Sequence, residues 1–279
     1  MPLIHLASRS CCLENEWTNS GLIYFLPYET MESTYPASTK IPSESSFEIF
    51  SGAQMMYNDD KQLGNSRQQP TASGLLITFE GIDGSGKSTQ AHLAADWLRQ
   101  QGRSVLSLRE PGGTAIGESI RSILLAKANT AMCMETELLL FAAARAQIIR
   151  EVIEPALAAG TYVICDRFYD STTAYQGYGR GIDREMIRQL QTIATGGLRP
   201  DQTFLLDVSI PVALQRLAGR PGKADRLDGE DTAFMIRTQA GYRTILHEEP
   251  DRVIRIDADR SVSEIRNSII SHLKGDLAL

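Results

Sequence analysis

The sequence contains no apolar run near the roughly 18 residues that a membrane-spanning helix needs. Ahead of residue 74 the longest such run, Leu22–Leu26, is also too short for a secretory signal core, and only Arg9 precedes it. Positive charge is not in excess. Lys+Arg total 28 against 34 Asp+Glu, a net charge of -6, which excludes a general coat for nucleic acid because that needs a basic field. Cysteine is scarce: four residues, two of them adjacent (Cys11, Cys12), make neither a disulfide framework nor a zinc pattern. Cys133 and Cys165 lie in apolar contexts and read as unpaired thiols, which with the missing targeting signal points to the cytoplasm. There is no internal repeat. What is present is ordinary for a globular protein: 42% hydrophobic and 22% charged residues over 279 positions, enough for one large domain or two small ones.

The composition is uneven along the chain. Residues 1–73 hold 4 basic residues (Arg9, Lys40, Lys61, Arg67), 8 acidic ones and 16 Ser or Thr, and sustain no helical or strand period. The acids exclude an Arg-rich organellar transit peptide. So polar a stretch cannot bury enough surface to offset the entropy of ordering, and it is expected to be a disordered N-terminal extension. A second reading is that Met31, Met55 or Met56 is the true start and the upstream residues are translated leader.

From Gly74 the pattern changes. Short apolar runs at Leu75–Phe79, Val105–Leu108, Tyr162–Cys165, Thr203–Leu206 and Val253–Ile256 alternate with amphipathic stretches at 90–101, 116–126, 135–153, 183–195, 233–247 and 262–273. Strands alternating with helices predict an α/β fold, a five-stranded parallel sheet covered by helices on both faces. Ligands of such sheets bind at the carboxyl ends of the strands.

The first strand runs into Gly81-Ile82-Asp83-Gly84-Ser85-Gly86-Lys87-Ser88-Thr89, which fits G-x-x-x-x-G-K-[ST] between a strand and a helix. Glycines let the backbone N–H groups close around phosphate oxygens, and the helix N-terminus adds partial positive charge. Lys87 is expected on the β and γ phosphates of a nucleotide and the Ser88 hydroxyl on Mg²⁺. The competing reading is a Gly-rich turn with a surface lysine. No N/T-K-x-D tetrapeptide of a base-reading GTPase occurs, and about 206 residues (279 minus 73) are few for a motor or AAA-type ATPase. A small kinase fits the size.

Four further segments each admit two readings. Asp166-Arg167 closes the third strand; the acid could hold the Mg²⁺ hydration shell and the arginine face the same phosphates, or the two could form a strand-end ion pair. Arg109-Glu110-Pro111-Gly112-Gly113-Thr114 offers a guanidinium fork for a phosphate in an irregular loop, or is an ordinary turn with a solvated Arg–Glu pair. Phe141, Arg145 and Ile149 share a helix face; the first two could stack on a flat base and bond its edge, or be a core aromatic with a snorkelling arginine. Residues 209–230 carry Arg216, Arg220, Lys223 and Arg226 among glycines and read as a basic lid or as a solvated loop.

Taken in order, these segments make the chain from Gly74 onward resemble bacterial thymidylate kinases over its whole length. The matching pieces are Gly81–Thr89, Arg109–Thr114, Leu140–Gln147, Asp166–Gln176 (DRFYDSTTAYQ), Gly177–Asp183, Arg199–Asp201 and the lid through Asp225-Arg226. The resemblance implies a P-loop kinase fold with a short lid over residues 74–279, and ATP-dependent phosphorylation of dTMP to dTDP with Mg²⁺ held at Ser88 and Asp166. It also implies a homodimer. By the same resemblance Asp83 contacts the acceptor sugar 3′-hydroxyl, and Arg109 and Arg167 hold the acceptor phosphate. Phe141 stacks on thymine and Arg145 bonds the base edge. Thr172 and Gln176 make polar contacts, and Tyr175 crowds the sugar 2′ position. Because Ser85 is not basic, the chain falls in the type whose catalytic arginine sits in the lid, with Lys87, Asp83, Arg167, Arg220 and Arg226 as the catalytic set. Asp228 departs from the glutamate often found there. The alternatives are a P-loop kinase for another nucleoside monophosphate or a nucleoside, and a module that holds nucleotide without transfer.

Overall fold

In the computed structural model five strands form one all-parallel sheet in the order β2-β3-β1-β4-β5. They are β1 Leu76–Glu80, β2 Val105–Arg109, β3 Tyr162–Asp166, β4 Gln202–Asp207 and β5 Val253–Asp257, each close to its expected span. The structure describes residues 74–219, 226–227 and 230–276; the expectations for residues 1–73 and for Arg220 lie outside the described residues. Among those described, no helix is long and apolar enough to cross a membrane.

Side chains alternate across the sheet. Ile77, Phe79, Ile164 and Phe204 are buried in one cluster with Ala94 and Leu98 of α1 (Lys87–Gln100) and Ile269 and Leu273 of α9 (Val262–Asp276). Leu76, Val163 and Cys165 point the other way, into a cluster with Ile148, Ile149 and Ile153. Cover on both faces explains why the central strands β1, β3 and β4 read as apolar runs, whereas the edge strands β2 and β5 are only partly buried and carry Ser107 and Arg255.

The covering helices begin where short polar side chains cap them. Thr114 accepts from Gly117 N at the start of α2 (Ala115–Leu125), and Asp183 from Met186 N at the start of α6 (Arg184–Thr195). Asp231 accepts from Phe234 N at the start of α8 (Thr232–Glu248). Three features depart from expectation. The long helix predicted over 135–153 is α3 (Met134–Ile148), which then widens to five-residue hydrogen-bonded turns at Ile149–Ile153 before the short α4 (Glu154–Ala158). Residues 169–179, given no element by the sequence pattern, form α5 (Tyr169–Thr172) and a second widened segment, Thr173–Gly179. The stretch predicted as a lid from residue 209 is helical over α7 (Ile210–Ala218), because its apolar positions Ala213 and Val212 reach the core.

The widened segment lies flush on α8. A Cβ at Gly179 would sit 2.6 Å from the Phe234 ring and 2.9 Å from Thr238 Oγ1, and one at Gly241 would sit 2.7 Å from the Tyr178 ring. Gly179→Ala is therefore expected to overpack this seam and to destabilise the protein by about 1–3 kcal/mol. Urea unfolding reads this directly; an unchanged midpoint would show that the seam yields.

Candidate active site

The carboxyl ends of β1, β2 and β3 deliver Gly81, Glu110 and Arg167 to one edge of the sheet. After β1 the chain crosses over β3 to build β2, and after β3 it passes to the far side of β1 as β4, so the crevice of a doubly wound sheet opens there. It is a cavity of about 800 Å³. One wall is the loop from Asp83 to Thr89; the other carries Arg109, Phe141, Arg145, Thr172 and Gln176.

The loop is shaped by its glycines and by the lysine inside it. Gly81 has φ +142°, and a Cβ there would lie 2.6 Å from Leu206 O, so only glycine lets the chain leave β1 this close to β4. The Lys87 ammonium sits within the loop, 3.4 Å from Ile82 O and 3.5 Å from Asp83 Oδ1. Burial and the charge of Arg167 lower its pKa, opposed by Asp83, Asp166 and Glu80. Ser88 and Thr89 are exposed on the cavity side.

Arg167 joins this loop to β3. Its backbone is left-handed, at φ +74°, a conformation that costs a non-glycine residue free energy and persists only when its surroundings fix it. The guanidinium donates to Asp83 Oδ1 at 2.5 Å, Tyr175 Oη at 3.0 Å, Gly81 O at 3.2 Å, Ser171 Oγ at 3.1 Å and Tyr242 Oη at 3.3 Å. Tyr175 donates in turn to Asp83 Oδ2 at 2.7 Å. Burial alone would raise the Asp83 carboxyl. The charges of Arg167 and Lys87 and the hydrogen bonds from Tyr175 and Arg167 outweigh it and hold the group below the usual carboxylate range. Burial pushes the Tyr175 phenol up.

Behind Arg167 lies Glu80, which is fully buried. It accepts from Phe168 N at 2.6 Å, Ser171 Oγ at 2.6 Å, Ser171 N at 3.3 Å and Tyr242 Oη at 2.8 Å. Two of these donors are backbone N–H groups of the turn that follows Arg167, so Glu80 holds that turn against the end of β1. Burial and then the charge of Asp170 raise its pKa to about 7, although Arg167, Ser171 and Phe168 N–H pull it down. Asp166 reaches the cavity, and its buried Oδ1 has no hydrogen-bond partner among the described residues.

On the opposite wall Arg145 is 2% exposed. It donates to Glu110 Oε2 at 2.8 Å, Thr172 Oγ1 at 3.0 Å and Phe168 O at 3.2 Å. Glu110 is thus a buried partner of Arg145, not the solvated partner of Arg109 that one sequence reading allowed; burial raises its pKa against the pull of Arg145. Arg109 is half exposed. Its fork is held by Glu118 at 3.1 and 3.2 Å and by Pro111 O at 3.1 Å. Phe141 and Arg145 line the cavity, whereas Ile149, on the same predicted face, is buried in the second core cluster.

The basic stretch after β4 is divided. Arg216 reaches the phosphate loop: its Nη1 lies 3.4 Å from Gly84 O and Ser85 O, and its Nη2 donates to Ala258 O at 2.9 Å. Arg226, expected among the catalytic arginines, is held elsewhere. It donates to Glu137 Oε2 at 2.6 Å and to Leu124 O at 2.7 Å and does not line the cavity. The sequence reading missed Glu80, Tyr242 and Glu137. An acid ending a buried apolar strand just before a phosphate loop was a usable signal for Glu80; nothing local marked the other two.

Residues 79–269 match the family model described as Thymidylate kinase. The chain is 46% identical over 200 residues to the thymidylate kinase of an Exiguobacterium species, covering 72% of this chain and 94% of that one. It is 49% identical over 207 residues to that of Chlorobium luteolum, covering 71% and 96%. The crystal structure of thymidylate kinase from Ehrlichia chaffeensis superposes with a TM-score of 0.61 at 35% identity, covering 72% of this chain and 99% of that one.

Glu80 also makes stability depend on pH. Its folded pKa lies above the ordinary 4.5, so between about pH 4.5 and 7 the folded state binds more protons than the unfolded chain, and stability falls as pH rises through that window. Glu80→Gln is expected to flatten this slope in urea unfolding measured from pH 5 to 8. Equal slopes in the two proteins would remove Glu80 as its source.

Proposed function

The chain belongs to the thymidylate kinase family and phosphorylates dTMP to dTDP; from that premise we propose that ATP with Mg²⁺ is the phosphoryl donor, held on the Gly81–Thr89 loop, with dTMP on the wall of Phe141 and Arg145. The observation that carries this arrangement is a single cavity joining the phosphate loop to that wall, with the Arg167–Asp83 pair between them.

The residues present fit the metal. Asp166 offers a buried, unpaired carboxylate oxygen beside the loop, and Ser88 an exposed hydroxyl. No group of three or more His, Cys, Asp or Glu that could hold an ion occurs among the described residues, which suits Mg²⁺, an ion bound by few protein ligands together with phosphates and water. When bound it neutralises phosphate charge. The protein's own part is positioning and electrostatics, since the acceptor phosphate oxygen is already a nucleophile. Lys87 and the loop N–H groups hold the β and γ phosphates. Arg167, fixed in place by Asp83, Tyr175 and Glu80, lies where the two substrates meet and offsets charge on the transferring group. Arg109 takes the acceptor phosphate. Asp83 faces the acceptor sugar and Tyr175 limits space beside it. Arg216, with Val262 and Gln90 at the loop's far end of the cavity, flanks the donor base. The family resemblance further supports a homodimer, as do exposed Ile123 on α2, Leu139 on α3 and Ile193 on α6, three neighbouring helices.

An acceptor panel tests the reading. ADP release from ATP is expected with dTMP well above dUMP, dCMP, AMP and GMP, and comparable rates across the panel would refute the acceptor assignment. Arg167→Ala is expected to lower kcat on the order of 10³-fold or more while ATP binding survives; normal dTMP turnover by that variant would remove Arg167 from the reaction.

A further inference from the structure

Glu137, in the first turn of α3, is 2% exposed yet ionised in its surroundings. Burial works against its charge, and hydrogen bonds from Arg180, Gln176 and Arg226 outweigh burial and lower its pKa. Its two oxygens are used differently. Oε2 accepts from Arg226 Nη2 at 2.6 Å and Arg180 Nη2 at 3.2 Å. Oε1 accepts from Arg180 Nε at 3.1 Å and from Gln176 Nε2 at 2.9 Å. Glu230 binds the same arginine, Arg180, at 2.6 Å, so two carboxylates balance two guanidinium groups and the cluster carries no net charge.

A side-chain amide has one end that only donates and one that only accepts, and which end faces a ligand is set by what holds the other. An ionised carboxylate only accepts. Facing Glu137, Gln176 must present its nitrogen there, and its oxygen is the end left for the cavity that Gln176 lines. A cavity-facing acceptor bonds the N3–H of thymine and opposes the N3 lone pair of cytosine.

We propose that Glu137 is a positioning residue for base selection, fixing the Gln176 amide so that the site takes a pyrimidine with an N3–H donor and rejects one with an N3 acceptor. This rests on the placement of the dTMP base beside Phe141 and Gln176. The two arginines keep the carboxylate ionised and so keep the amide from turning over.

Glu137→Gln is the informative change because it keeps the shape and removes the constraint. Its single oxygen stays with the two arginine donors at the Oε2 position. That leaves an NH₂ facing Gln176 and Arg180 Nε; Arg180 gives up its Nε bond and keeps Nη2 on the remaining oxygen and on Glu230, while Gln176 turns to accept the NH₂ and shows its own to the base. The dTMP to dCMP ratio of kcat/KM is expected to fall about tenfold or more, through a raised KM for dTMP with kcat changed less, because the phosphate machinery is untouched. In a Gln176→Ala background the same change at 137 should leave the ratio where Gln176→Ala alone puts it. A ratio unchanged in E137Q, or shifted equally in the Gln176→Ala background, overturns the inference. Should E137Q not fold, Glu137→Asp and Glu137→Asn pose the same comparison, and equal ratios in that pair also overturn it. A wild-type protein that turns over dCMP as well as dTMP overturns the acceptor reading instead, and the inference with it.

Discussion

Arg167 and Asp83 hold the molecule's functional edge together. One residue follows directly on β3 and the other sits in the loop after β1, so their ion pair, 2.5 Å between nitrogen and oxygen, ties two neighbouring strand ends by their side chains. Each partner has a further group of opposite sign beside it: Lys87 stands beside Asp83, and Glu80 behind Arg167. Removing Arg167 alone would leave Asp83 only the longer ion pair with Lys87, at 3.5 Å, and removing Asp83 alone would leave Arg167 only the charge of Glu80 behind it. The left-handed backbone at Arg167 follows from the same constraint, because the guanidinium must turn back over Gly81 while the next amides turn down onto Glu80.

Much of this was legible in the chain because the signals are local. The five strands read as short apolar runs, the central three deeply buried and the edge two partly so, and the phosphate loop is one continuous motif whose glycines report their own geometry. Arg109, Phe141, Arg145, Tyr175 and Gln176 lie in segments specific enough to be named from family resemblance. What could not be read depends on distant partners. Glu80 takes its meaning from Phe168, 88 residues on, and Tyr242, 162 residues on. Arg226 reads as one more basic residue in a glycine-rich run until Glu137, 89 residues earlier, claims it. The helix α7 was hidden by its neighbours, since the basic and glycine-rich residues after it coloured the whole stretch. The widened segment at Thr173–Gly179 has no local period of its own; Gly179 becomes intelligible only once α8 lies against it.

Polar side chains in this protein are seldom single-purpose. Tyr175 accepts from Arg167 while donating to Asp83, and Thr172 receives the Arg145 guanidinium that also binds Glu110. Each wall of the cavity is therefore braced by ties among its own lining residues. Such bracing fixes rotamers before any ligand arrives, which is the form of preorganisation a reaction without a covalent intermediate depends on.

The fork of Arg109 is already engaged by Glu118, which also accepts from Gly113 N at 2.8 Å. On the proposed placement of the acceptor phosphate at Arg109, the phosphate displaces a carboxylate instead of water. Its gain is the difference between two ion pairs, and on departure the carboxylate closes the fork again. On that placement Glu118 is an internal counter-anion that competes with the phosphate for the fork, and competition of this kind lowers retention of whatever the fork holds.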